Sequence, residues 1–296
     1  MKKVFVLISM ALAVYSCSSS DDECGPVTPD GNNPVEIKLN AGVLDVNARA
    51  PIASGNPVSA VFVASGTTND YSTYLWSDTV SFNANSTPSA ALSFTPKQYY
   101  PSNSSSVYIK AFYPASSVAT TNNIVKYSAT DGSVDVLMTG EQSGTRLTAS
   151  PLNFVFNHLL TQLQFKFVTG TMFPTGKTVT NLVIKNAQTF PTQLDLNTGT
   201  LTYSTTPITF SGKSYSIGNS SGSAIADTPM VLAGSPVILS ITTSDGVTYP
   251  DLTLSSLTTA VGQSHLITIT FNLVEITATV SVTNWVTGTG TGSTVQ

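Results

Sequence analysis

The chain has 296 residues, of which 41% are hydrophobic and only 9% charged, and its formal net charge is -4. That length accommodates one or two domains, and ample apolar residues with so few charges exclude a disordered chain. No basic cluster is present, so the electrostatic footprint of a nucleic-acid-binding protein is absent.

The chain opens with Lys2 and Lys3, an apolar run from Val4 to Val14, and small residues ahead of Cys17. This is the layout of a secretory signal over residues 1–16, too short for a membrane span. The cysteine after Val14-Tyr15-Ser16 resembles a bacterial lipobox, which makes Cys17 the expected lipid attachment site. Ordinary signal cleavage beside an incidental cysteine is the alternative. Acyl chains on Cys17 would anchor the protein, each buried methylene adding about 0.8 kcal/mol. Cys24 is the second of two cysteines, so a lipidated Cys17 leaves no intramolecular disulfide. "SSSDDE" and "GPVTPDGNNP" follow, so residues 17–34 read as a flexible acidic tether. Acidic residues directly after the cysteine also resemble the signal by which Bacteroidetes place lipoproteins on the outer face.

From residue 35 the apolar pattern has period two almost throughout, which predicts strands. "VEIKLNA" (Val35–Ala41) sets Val35, Ile37, Leu39 and Ala41 on one face. Expected strands continue with "VSAVFVA" (Val58–Ala64), "VYIKAFY" (Val107–Tyr113), "VDVLM" (Val134–Met138) and "LQFKFV" (Leu163–Val168). "FVFNHLLTQLQF" (Phe154–Phe165) admits a helical turn at its start, but its β-branched and aromatic content favours strand. "NLVIKNA" (Asn181–Ala187), "QLDLNTGTLTY" (Gln193–Tyr203), "VILSITTSDGVTY" (Val237–Tyr249), "HLITITFN" (His265–Asn272) and "ITATVSVTNWV" (Ile276–Val286) complete the series. Two of these contain hairpin turns, at Asn197-Thr198-Gly199 and Asp245-Gly246. The expected fold class is all-β, with β-sandwiches over residues 35–168 and 169–296. The boundary is set by the Gly/Pro cluster of Thr169–Thr178, and the Gly/Thr-rich end reads as a mobile tail.

Chemistry-bearing constellations are sparse. His158 and His265 have no zinc-ligand spacing around them. No Gly-x-Ser-x-Gly elbow is present, and the acids of the expected domains are scattered singly. The expectation is no catalytic residue, no metal and no cofactor. The aromatics of "YSTYLW" (Tyr71–Trp76) and "QYYP" (Gln98–Pro101) could form a sugar platform, although core packing accounts for them more simply.

The first and last strands resemble one another. Ile276, Ala278, Val280 and Val282 share one face, as Val35 to Ala41 do, with Thr and Ser opposite. Strands of one pattern can replace each other, because backbone hydrogen bonds are generic and side-chain pockets set register. Between the first strand and the next lies Arg49, one of only two arginines, in "LDVNARAPI" (Leu44–Ile52).

Several short motifs in this order resemble the fimbrillin (type V pilin) superfamily of Bacteroidales. They are the lipobox at Cys17 with its acidic followers, "NARAPI" after the first strand, and "AFYP" (Ala111–Pro114). "DVLMTG" (Asp135–Gly140), "LNFVFNHLLTQLQFKF" (Leu152–Phe167) and "ATVSVTNWVTG" (Ala278–Gly288) follow. The resemblance implies two consecutive β-sandwich domains of transthyretin-like, Greek-key type. It also implies export as a lipoprotein to the cell outer membrane and assembly into a surface fimbrium as a structural or tip subunit. It further implies cleavage of the Arg49–Ala50 bond by an Arg-specific protease, Val35–Ala48 as a placeholder, and Ile276–Val286 as a donor strand for a neighbour. The implied partners are other fimbrial subunits, the outer membrane through the lipid, and a host or bacterial surface ligand. The alternative is a monomeric surface lipoprotein that binds glycan or protein.

Overall fold

A computed structural model describes residues 33–43, 52, 55–85, 89–115, 118–219, 222, 224–255, 257–273 and 275–284. Cys17, Arg49 and Ala50 lie outside the described residues. Among the described residues the protein is all β, its strands interrupted only by a short 3-10 turn at Arg146–Thr148. The alternating Val, Ile, Leu and Phe positions explain this, because each strand buries one side and presents Thr, Ser or Asn on the other.

The first sheet has the order β3 (Trp76–Asn83), β2 (Pro57–Ser65), β5 (Val107–Tyr113), β8 (Leu137–Thr139), β10 (Leu152–His158), β1 (Lys38–Val43) and β4 (Ser89–Ser93). A further strand, β9 (Gln142–Gly144), also pairs with β5. The outer strands β3 and β4 approach each other, so the sheet curls nearly closed around its core. At the centre Phe62 meets Phe94 and Phe154 edge-on, with ring centroids 5.7 and 5.1 Å apart. Such aromatic pairs add about 0.5–1.5 kcal/mol beyond their burial.

Two four-stranded sheets share the next core. One runs β16 (Met230–Val231), β11 (Thr161–Thr169), β19 (Gln263–Phe271) and β20 (Ile276–Asn284). The other runs β15 (Ile208–Ser216), β12 (Thr178–Ile184), β17 (Val237–Thr243) and β18 (Thr248–Leu254). Leu163, Phe165 and Phe167 of β11, which precede the Gly/Pro cluster of Thr169–Thr178, pack in this second cluster. The doubtful stretch Phe154–Phe165 is strand on both sides of a break at Leu159 and Leu160. Both expected turns are hairpins. Gly199 (φ 74°) lies between β13 (Pro191–Asp195) and β14 (Leu201–Tyr203), and Gly246 (φ 84°) between β17 and β18.

A fourth sheet joins the halves of the chain. Its order is β14, β13, β7 (Ile124–Tyr127) and β6 (Val118–Thr121), with Leu194 of β13 opposite Val125 of β7. A third cluster lies beneath it, in which Val125, Leu194 and Leu196 meet Val63, Phe112 and Met138 from the first sheet. Lys110 is buried in this junction. Its ammonium donates to the carbonyls of Leu196 (2.9 Å) and Asn197 (3.1 Å) and lies 5.3 Å from the Tyr71 ring centroid. Burial lowers the Lys110 pKa. Nearby, Tyr71 donates its hydroxyl to Glu141 at 2.7 Å.

Candidate functional site

Two strands carry the sequence expectations, and the structure places them differently. β1 is internal to its sheet. It runs parallel to β10, with Leu39 opposite Leu152 and Val43 opposite Phe156, and antiparallel to β4, with Leu39 opposite Leu92. Ile37, Leu39, Ala41 and Val43 are all completely buried in the first cluster. Burying four such side chains is worth on the order of 6–10 kcal/mol before conformational entropy is counted.

Polar contacts fix the register of this segment. Ile37 N–H donates to the Gln98 carbonyl at 2.8 Å, Tyr100 N–H to the Val35 carbonyl at 2.9 Å, and Val43 N–H to the Asn85 carbonyl at 3.0 Å. The Asn40 amide donates to the Asn153 side-chain oxygen at 2.8 Å. Glu36 pairs with Lys97 at 2.9 Å, and the hydrogen bond from Lys97 holds the Glu36 carboxyl below its ordinary pKa.

Arg146 reaches the start of the segment from the 3-10 turn between β9 and β10. It is 4% exposed, and its guanidinium donates to the carbonyls of Asn33 (3.1 Å) and Ser102 (3.0 Å). Arg146 is the second of the chain's two arginines, and no sequence motif assigns it a role. The Asn33 and Ser102 carbonyls are far away in sequence, so no local motif could have identified these contacts.

β20 is an edge strand. Among the described residues it pairs with β19 alone, antiparallel, from Ile276 opposite Phe271 to Asn284 opposite Gln263. Ile276, Ala278 and Val280 are partly buried against the second cluster, whereas Val282 is 42% exposed. The shared face predicted for these four residues therefore exists, but it is covered unevenly. β20 lies on its core while β1 lies inside one.

The histidines are structural in their setting. His158 Nδ1 lies 2.8 Å from Asp135 Oδ2, and both side chains are almost fully buried. His265 on β19 is completely buried with no hydrogen-bond partner on either ring nitrogen, and burial lowers its pKa. Among the described residues no three His, Cys, Asp or Glu side chains group as metal ligands would. Tyr71 and Tyr100 are buried, and Trp76 packs on Phe94 at 4.8 Å, so these aromatics are packing residues. Tyr99 is 44% exposed.

A family model described as fimbrillin-like matches residues 47–285. Several solved structures share the fold. A candidate cell adhesion protein from Bacteroides uniformis aligns with a TM-score of 0.56 at 16% identity, covering 84% of this chain and 98% of its own. A candidate cell adhesion protein from Bacteroides ovatus gives 0.55 at 14% identity, with 87% and 100% covered. A candidate polysaccharide-binding protein from Bacteroides thetaiotaomicron gives 0.52 at 12% identity, with 88% and 99% covered. No curated protein matches the chain.

Proposed function

Because the chain belongs to the fimbrillin-like family, whose members are fimbrial and adhesion proteins rather than enzymes, we propose that it is a surface subunit that polymerises by exchanging β-strands. In this reading Arg49–Ala50 is cut by an Arg-specific protease, the segment Val35–Ala48 leaves, and a neighbour's strand fills the groove. Ile276–Val286 is the donor, with Ile276, Ala278, Val280 and Val282 entering the pockets that Ile37, Leu39, Ala41 and Val43 vacate. Cys17 carries the lipid that holds the precursor at the outer membrane, on an acidic tether of residues 17–34. Other subunits are the partners, with a host or bacterial surface ligand at the exposed end of a fimbrium.

The observation that carries the reading is the placement of β1. A strand internal to a sheet, which with the residue before it buries four apolar side chains, leaves two unpaired edges and an open core when removed. A vacancy of that kind demands a replacement strand of the same period. The edge position of β20 favours it as the replacement, because leaving its sheet breaks one ladder rather than two. We divide the chain into two transthyretin-like β-sandwich domains. The packing of β11 in the second cluster supports a passage between them at residues 159–160.

The test is limited digestion of the secreted full chain with trypsin, read by mass spectrometry and by SDS gels run without boiling. Cleavage after Arg49 followed by a ladder of multimers is expected. A cut core that remains monomeric would overturn assembly by strand exchange and favour a monomeric surface lipoprotein.

A further inference from the structure

We propose that the Arg146–Leu147 bond is a second site for Arg-specific proteolysis, closed while the first groove holds a strand and open when the groove is empty. The inference rests on the removable-strand reading above and extends it to the fate of a subunit that fails to be refilled.

Three observations lead to it. Arg49 and Arg146 are the only arginines in the chain, so a protease that requires arginine has two bonds to choose from. An Arg-specific enzyme must draw the guanidinium into its own acidic pocket and extend the flanking backbone. Arg146 resists this in the filled state, because it is 4% exposed and tied to two main-chain carbonyls. One of those carbonyls, Asn33, comes from the segment that leads into β1. Departure of that segment therefore removes a charge-assisted hydrogen bond from Arg146 and uncovers its surroundings. The bond itself is otherwise well placed for attack. Leu147, on the leaving side, is 63% exposed, and the connection is a single 3-10 turn. Short turns of this kind open at little cost compared with strands.

The chemistry is plain hydrolysis. The bond between the Arg146 carbonyl carbon and the Leu147 nitrogen breaks. Water supplies the oxygen of the new Arg146 carboxylate and the proton taken up by the new Leu147 amine. The consequence is selective, since a filled subunit survives and a vacant one is cut between β9 and β10.

The test uses the full chain and an Arg-specific endoprotease, with both cuts followed over time by mass spectrometry. The expected order is Arg49 first, then Arg146 only after the amino-terminal peptide has dissociated. An excess of a synthetic peptide covering residues 33–43 should slow the second cut by about tenfold or more. Equal rates of the second cut with and without peptide would overturn the proposal. A second variant removes dependence on the first cut. It carries Arg49→Lys and an unrelated protease site within residues 44–48, so the segment can be released without arginine cleavage. If Arg146 is then cut, the inference stands even where scission at Arg49 fails. If the segment leaves and Arg146 stays intact, the inference fails while strand removal survives. If the segment never leaves by either route, both fail together.

Discussion

At the scale of single residues, His265 makes the clearest statement about solution behaviour. It is completely buried with both ring nitrogens unpartnered, so its neutral form is the one the fold accepts. Burial holds its pKa in the folded chain below the ordinary 6.5 of a histidine. Above that pH the folded and unfolded chains both hold a neutral ring, and the residue contributes no pH dependence. As pH falls below it, the unfolded chain takes up a proton before the folded chain does, and stability falls. A His265→Leu variant should therefore lose less melting temperature between pH 7 and pH 5 than the wild type. Equal losses in differential scanning calorimetry would refute this. Arg146 illustrates the opposite use of a buried polar group, for it donates to main-chain carbonyls and joins connections far apart in sequence.

At the scale of elements, β1 and β20 share a pattern but should respond differently to substitution. Leu39→Ala removes a fully buried side chain between Leu152 and Leu92, and should cost about 2–5 kcal/mol in a urea titration of the intact chain. Val282→Asp alters an exposed position, and should change monomer stability by no more than about 0.5 kcal/mol. The same Val282→Asp change should suppress the multimer ladder, because the charge would enter an apolar pocket of the acceptor; an undiminished ladder would remove β20 as donor. The sequence reveals the common period of the two strands, because alternation is a local property. It does not reveal that one is internal and the other an edge. That distinction comes from the parallel pairing of β1 with β10, more than a hundred positions away. The turns at Gly199 and Gly246 were legible for the same local reason. The break between strands at Leu159–Leu160 was not, since two apolar residues carry no turn signal.

At the scale of the whole molecule, the fourth sheet decides how independent the two halves of the chain can be. β6 and β7 come from residues 118–127 and β13 and β14 from residues 191–203, and among the described residues both pairs belong to this sheet alone. A fragment ending at His158 should therefore expose Val125, Phe112 and Met138, which the complete chain buries. It should bind a hydrophobic dye such as ANS and self-associate, whereas the full chain should do neither. A monomeric, dye-silent fragment would show that the first sheet needs no cover. The arrangement also sets a schedule. A chain synthesised or exported from its amino terminus holds β7 paired on one side only, with β6, until β13 emerges about seventy residues later. During that interval the first sheet has its strands but lacks its lid, and it offers an unpaired ladder to any neighbour at the same stage. Successful production of this protein thus becomes a race between arrival of β13 and encounter with another half-made copy. Slower delivery of residues 159–203 should raise the yield of aggregates without altering the folded molecule at all.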